Sequence, residues 1–141
     1  MRSTLILLFI LGTAALLCAQ AGPCTEAAIK GAERMPLADD AFMYMPPYGK
    51  PVVGKGEIQG TSEKKFAGRT NIQRSWMDDH RIVSAPSGDM ATEYGTLKMS
   101  YDENQQRHEF KAVILNVYKA KGSVCQTAAG TMQPLEDNSA H

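Results

Sequence analysis

With 141 residues the chain is long enough for one domain with a real core and too short for two. At 43% hydrophobic and 21% charged residues it has the composition of a globular protein, not a disordered one. Its 15 basic and 15 acidic residues leave no net charge and no basic stripe, which removes nucleic acid as an expected partner.

Residues 1–21, MRSTLILLFILGTAALLCAQA, read as a secretory signal peptide. Arg2 stands near the start, an apolar run covers residues 5–17, and Ala19-Gln20-Ala21 is an A-x-A site that puts cleavage between Ala21 and Gly22. The run is shorter than the roughly 20 residues a spanning helix needs, which argues against a membrane anchor. Cys18 follows the bulky Leu17, a poor context for lipid attachment. No second apolar span follows, so the expected product is periplasmic or secreted and free of the membrane after cleavage. The mature chain keeps two cysteines, Cys24 and Cys125. An even pair in an exported protein points to a disulfide, with two separate buried thiols as the alternative.

In chain order, Thr25 can cap a helix over residues 25–35, with Glu26 in its first turn, Gly31 weakening it and Pro36 stopping it. So short a helix has to dock on something. Residues 41–45, AFMYM, read as a strand ended by Pro46 and Pro47, and residues 48–51 as a turn. Residues 57–66 suit a short helix with Ile58 and Phe66 on its buried side, and residues 70–76 another helical turn or two, although Gly60 and Gly68 interrupt the pattern. From Arg81 on the signal is strands, over residues 81–84, 90–101, 109–118 and 124–132, joined by turns at Ser87-Gly88-Asp89, residues 102–105 and Lys121-Gly122. Three long strands on tight turns make an antiparallel meander, and helices followed by strands is the α+β order. Gly95 in mid-strand marks a bend. The tail over residues 135–141 is polar and expected to be flexible.

Two stretches carry a family resemblance. One is Leu37-Ala38-Asp39-Asp40-Ala41-Phe42-Met43-Tyr44-Met45-Pro46-Pro47 followed by Val53-Gly54-Lys55-Gly56-Glu57-Ile58; the other is Ser84-Ala85-Pro86-Ser87-Gly88-Asp89-Met90-Ala91-Thr92-Glu93-Tyr94-Gly95-Thr96. In this order they resemble the nuclear-transport-factor-2-like superfamily, and within it the SnoaL-like and ketosteroid-isomerase-like domains of unknown function. The resemblance covers about residues 37 to 132, within a domain taken as 22–134. It implies a cystatin-like α+β barrel: a cone of curved antiparallel sheet closed by short N-terminal helices, with a pocket in its mouth and, in many members, a homodimer packed through the sheet. The first helix here is shorter than the family's, which implies a more open pocket or one completed by a partner.

The same resemblance argues against isomerase chemistry. The position of the isomerase's catalytic carboxylate falls on Met45, whose thioether takes no proton from carbon. The second isomerase acid falls near Leu115 or Asn116, and the short first helix holds no tyrosine. The remaining candidates are weak. Asp39 and Asp40 precede a strand as turn residues do. Asp78-Asp79-His80 reads as a solvated turn, since neighbours on an extended chain point apart. Glu93 and Tyr94 face opposite sides of a strand, Glu93 with Ala91, Gly95 and Leu97, Tyr94 with Met90, Thr92 and Thr96. Glu93 either lines the pocket as an acid or base or faces solvent. Met43, Met45, Met90, Met99, Phe42, Tyr44 and Trp76 form a soft apolar set that suits a small ligand or an ordinary core.

The expected function is thus binding of a small, partly apolar molecule, with no assigned reaction and no cofactor or metal, at Tyr44, Met45, Trp76, Tyr94 and Asn116. The alternatives are an isomerase, lyase or hydrolase using Glu93 or Asp40, and a dimeric interaction module.

Overall fold

The computed structural model describes residues 22–46 and 49–135. The expected signal peptide lies outside the described residues, as do residues 136–141 of the expected tail. The elements run α1 (Glu26–Gly31), β1 (Leu37–Tyr44), β2 (Val52–Val53), α2 (Lys55–Phe66), β3 (Thr70–Trp76), β4 (Arg81–Ser84), β5 (Met90–Glu103), β6 (Gln106–Lys121) and β7 (Val124–Pro134). One sheet has the order β2-β1-β7-β6-β5-β3, with β4 also paired to β5. The class is α+β, and β5, β6 and β7 form the expected antiparallel meander.

Four expectations need correction. Residues 70–76 form the edge strand β3, not helical turns, because Gln73 to Trp76 pair with β5; an edge exposed on both faces shows no alternation to read. The sheet is not wholly antiparallel, since β1 runs parallel to β7. Nor is it closed, with β2 and β3 as its ends. Of the two helices only α1 is N-terminal, and it stops at Gly31, where Ala32 turns extended; α2 follows β2 and packs against β1.

Local chemistry accounts for the short helices. In α1 the Thr25 hydroxyl accepts from Ala28 N–H at 3.2 Å and Lys30 pairs with Glu26 at 2.6 Å. Only Ile29 is buried, so the helix depends on its anchorage. That anchorage is covalent. Cys24 and Cys125 form a disulfide with Cα atoms 5.0 Å apart, joining the start of α1 to β7 across 101 residues. Around it pack Ile29, Ala91 and Tyr118. Ahead of it, Gly22 N–H donates to the Ser87 carbonyl at 2.7 Å and Cys24 N–H to the Gly88 carbonyl at 2.8 Å, laying the segment along the β4–β5 turn. In α2, Ile58, Ser62 and Phe66 follow each other at four-residue steps and share one face. Ile58 is buried with Ala38 and Ala41 of β1. Glu57 in the first turn and Lys64 and Lys65 in the last suit the helix dipole.

Strand β5 changes partner in mid-course. Ala91 to Tyr94 pair with β4, Leu97 to Ser100 with β3. At the joint, Gly95 has φ +148, and a Cβ there would stand 2.8 Å from the Cα of His80. The glycine lets the turn between β3 and β4 press against the strand.

Two outcomes follow. Denatured, unreduced protein of residues 22–141 titrates with no free thiol, and Cys24→Ser with Cys125→Ser lowers its unfolding free energy by up to about 4.7 kcal/mol in denaturant titration. Gly95→Ala lowers it by about 2 kcal/mol or more, through backbone strain and collision with His80.

Candidate functional site

A cavity of about 750 Å³ is lined from both helices and from strands β1, β3, β5, β6 and β7. Its polar wall is built by strand register. On β5 the odd-numbered positions from Ala91 to Tyr101 turn inward, and Glu93 among them is only 8% exposed. Asn116 is the direct partner of Glu93 on β6, and Tyr118 lies two residues further along the same face. Asn116 Nδ2 donates to Glu93 Oε2 at 3.2 Å, and the Tyr118 hydroxyl donates to the same oxygen. Burial, and then the bond to Glu93, push the Tyr118 hydroxyl well above its usual range, so it stays a donor. Glu93 Oε1 faces His80 Nε2 at 3.0 Å. The buried carboxylate thus has three partners, as a buried charge requires.

His80 reaches the wall from the turn after β3. Its ring stacks on Trp76 with centroids 4.2 Å apart and planes 4° from parallel. Asp79 fixes the turn by accepting from Thr96 N–H at 2.9 Å and from Thr96 Oγ1 at 2.7 Å. Those two bonds, the backbone one first, hold the Asp79 carboxyl below its usual range. The clasp is therefore fully formed above the ordinary carboxylate range and lost only as pH falls through the lowered value. Space for the group comes from Gly130 on β7, where a Cβ would stand 2.7 Å from Met43 Sδ and 2.9 Å from Asn116 Oδ1.

Of the residues expected from sequence, Glu93, Met45, Trp76 and Asn116 line the cavity. Glu93 takes the inward of its two readings, and Asn116 rather than the outward Leu115 is the inner residue. Tyr44 and Tyr94 are exposed and stand outside the lining. Tyr94 is set outward by the same alternation that turns Glu93 in. Asp40 is exposed and pairs with Lys119 at 2.7 Å; hydrogen bonding by that lysine holds its carboxyl below the usual range, the wrong direction for a general base. Asp39 pairs likewise with Lys121 at 3.0 Å. Sequence reasoning missed His80 and Tyr118. Tyr118 was within reach, two residues from Asn116 on one strand face. His80 was not, because its orientation depends on the turn docked at Gly95. Among the described residues no group of three or more carboxylates, imidazoles and thiols gathers around one point.

The rest of the lining is mixed. Met35, Met43, Met45, Met99, Ile114 and Met132 supply apolar surface, and Lys30, Glu33, Arg34 and Arg74 supply charge. Arg74 lies over the Phe66 ring at 5.7 Å.

No protein-family model matches the chain. No curated protein matches it either. Solved structures do. A ketosteroid isomerase-like protein from Erwinia carotovora atroseptica aligns with TM-score 0.56 at 16% identity over 78% of this chain and 80% of its own. An NTF2-like protein from Cytophaga hutchinsonii aligns with TM-score 0.54 at 16% identity over 72% and 78%. The CaMKII hub of S. rosetta aligns with TM-score 0.56 at 7% identity over 71% and 77%. At these identities the likeness is one of architecture, and it agrees with the resemblance carried by the two sequence stretches: the chain has the nuclear-transport-factor-2-like fold.

Proposed function

We propose that the mature chain is an exported, SnoaL-like small-molecule-binding domain, its sheet curved as a cone around the cavity, and that it moves a proton on a small, partly apolar molecule in the manner of an isomerase or lyase. The observation that carries the reading is the contact of His80 Nε2 with Glu93 Oε1 at 3.0 Å in the cavity wall. The disulfide and the leader-like residues 1–21 support export.

The chemistry follows from the donors around Glu93. Asn116 and Tyr118 both donate to Glu93 Oε2, and in this reading Oε1 accepts from His80 Nε2. That selects the imidazole tautomer with its proton on Nε2 and leaves the lone pair on Nδ1. Nδ1 takes a proton from an acidic C–H of the bound molecule, and Glu93 stabilises the imidazolium that forms. Returning the proton to another carbon completes an isomerisation; loss of a leaving group completes an elimination. Met45, in the place of the isomerase base, is left to pack against the ligand.

A second reading concerns assembly and rests on the outer face of the sheet. Tyr94 and Leu115 stand opposite each other across β5 and β6 and are 42% and 41% exposed, with Val113 and Val83 on the same side. Such a patch suits a second copy of the chain, and a hub domain is among the structures of this fold. We take the protein as a homodimer through this face.

Native mass spectrometry of residues 22–141 is expected to show added mass that denaturation removes; a bare chain from every source overturns the binding reading. With that ligand in hand, His80→Gln slows solvent deuterium uptake into it by roughly 10²–10⁴-fold, the worth of a placed general base, and Glu93→Gln slows it as well. Uptake unchanged by both variants removes the proton-transfer role. Leu115→Glu converts the dimer to a monomer in sedimentation velocity; a monomeric wild type sinks the assembly.

A further inference from the structure

Two arginines in the cavity differ from the other arginines of the domain. Arg69 pairs with Glu103 and Arg107 with Asp102, each at 3.1 Å. Arg81 donates to the carbonyls of Asp78 and His80. Arg34 and Arg74 line the cavity, and among the described residues neither has a carboxylate within ion-pair distance. They also oppose each other: burial, and then the nearby Arg34, push Arg74 below its usual range. Both residues keep much of their surface exposed, so solvent screens part of the repulsion, and an anion shared by the two relieves the rest. The other charges of the wall are already engaged or out of reach. Lys30 is held by Glu26 at 2.6 Å. Glu93 has its three partners. Glu33 lines the cavity outside ion-pair distance of both arginines.

We propose that Arg34 and Arg74 form the seat for a carboxylate, and that the molecule taken by this cavity is a short organic acid with an apolar body. A guanidinium matches a carboxylate with two parallel N–H donors and keeps its charge when desolvated. Strand β3 aligns the seat with the chemistry. Arg74 and Trp76 are two residues apart, hence on one face and about 7 Å from each other along the strand. Trp76 in turn stacks on His80. A carboxylate on Arg74 therefore places its chain beside the stacked Trp76 and His80 rings. The proposal deepens the small-molecule reading and needs only that the cavity be the binding site; it does not need His80 to be a base.

The test is calorimetric titration of the oxidised mature chain with hexanoate, hexan-1-ol and hexyl phosphate. Hexanoate is expected to bind at least about tenfold more tightly than the alcohol, with a preference that shrinks as salt rises. The Arg34→Gln, Arg74→Gln double variant loses the preference and keeps its affinity for hexan-1-ol, which shows that the cavity is intact. Equal binding of acid and alcohol by the wild type, a preference that survives in the double variant, or no binding of hexanoate at millimolar concentration each overturns the seat. Tighter binding of hexyl phosphate overturns the carboxylate assignment. His80→Gln separates the two proposals: it slows proton transfer and leaves the preference for hexanoate over hexan-1-ol in place, whereas an anion preference lost with His80 places the seat at the imidazole and overturns the arginine assignment.

Discussion

The register between β5 and β6 is set at Asn104 and Gln105, both with positive φ, 52° and 64°, as a two-residue hairpin turn matching strand twist requires. From Glu103↔Gln106 the pairing runs without a slip to Met90↔Lys119. Because side chains alternate with period two, a shift of one residue would turn Glu93 to solvent and Tyr94 into the cavity. The polar wall is therefore a product of a turn remote from it in the chain, and the apolar outer patch is the other half of the same alternation.

Burying a carboxylate on a strand face is unfavourable unless donors meet it. Two of them come from the neighbouring strand at no further cost in order, since Asn116 and Tyr118 are fixed by the ladder. The third, His80, needs separate machinery: a clasp by Asp79 onto Thr96, a stack on Trp76 and a glycine at position 95 that lets the turn approach. The imidazole is thus held by the Asp79 clasp, the indole stack and Glu93.

Strand parity made much of this legible. Alternation placed Glu93 on the face opposite Tyr94, and the resemblance carried the α+β architecture of the fold. The cysteine pair could be named but not positioned, because spacing says nothing of Cα separation. What could not be read depended on partners distant in sequence. The strand β3 has an exposed, polar pattern and is a strand only because β5 lies beside it. The parallel pairing of β1 with β7 brings together segments more than eighty residues apart, such as Phe42 and Ala129. His80 belonged to an acidic run that reads as a turn, and it is a turn; its use comes from where that turn is docked.

The link between Cys24 and Cys125 makes most of the domain a covalent ring. A protease that cuts any loop inside it, the Asn104–Gln105 tip included, leaves two pieces that still travel as one molecule. The ring also orders the chain's own assembly. Synthesis delivers Cys24 early and its partner 101 residues later, so α1 gains its covalent anchor only once β7 has been made. The helix that borders the cavity is then among the first segments to emerge and among the last to settle.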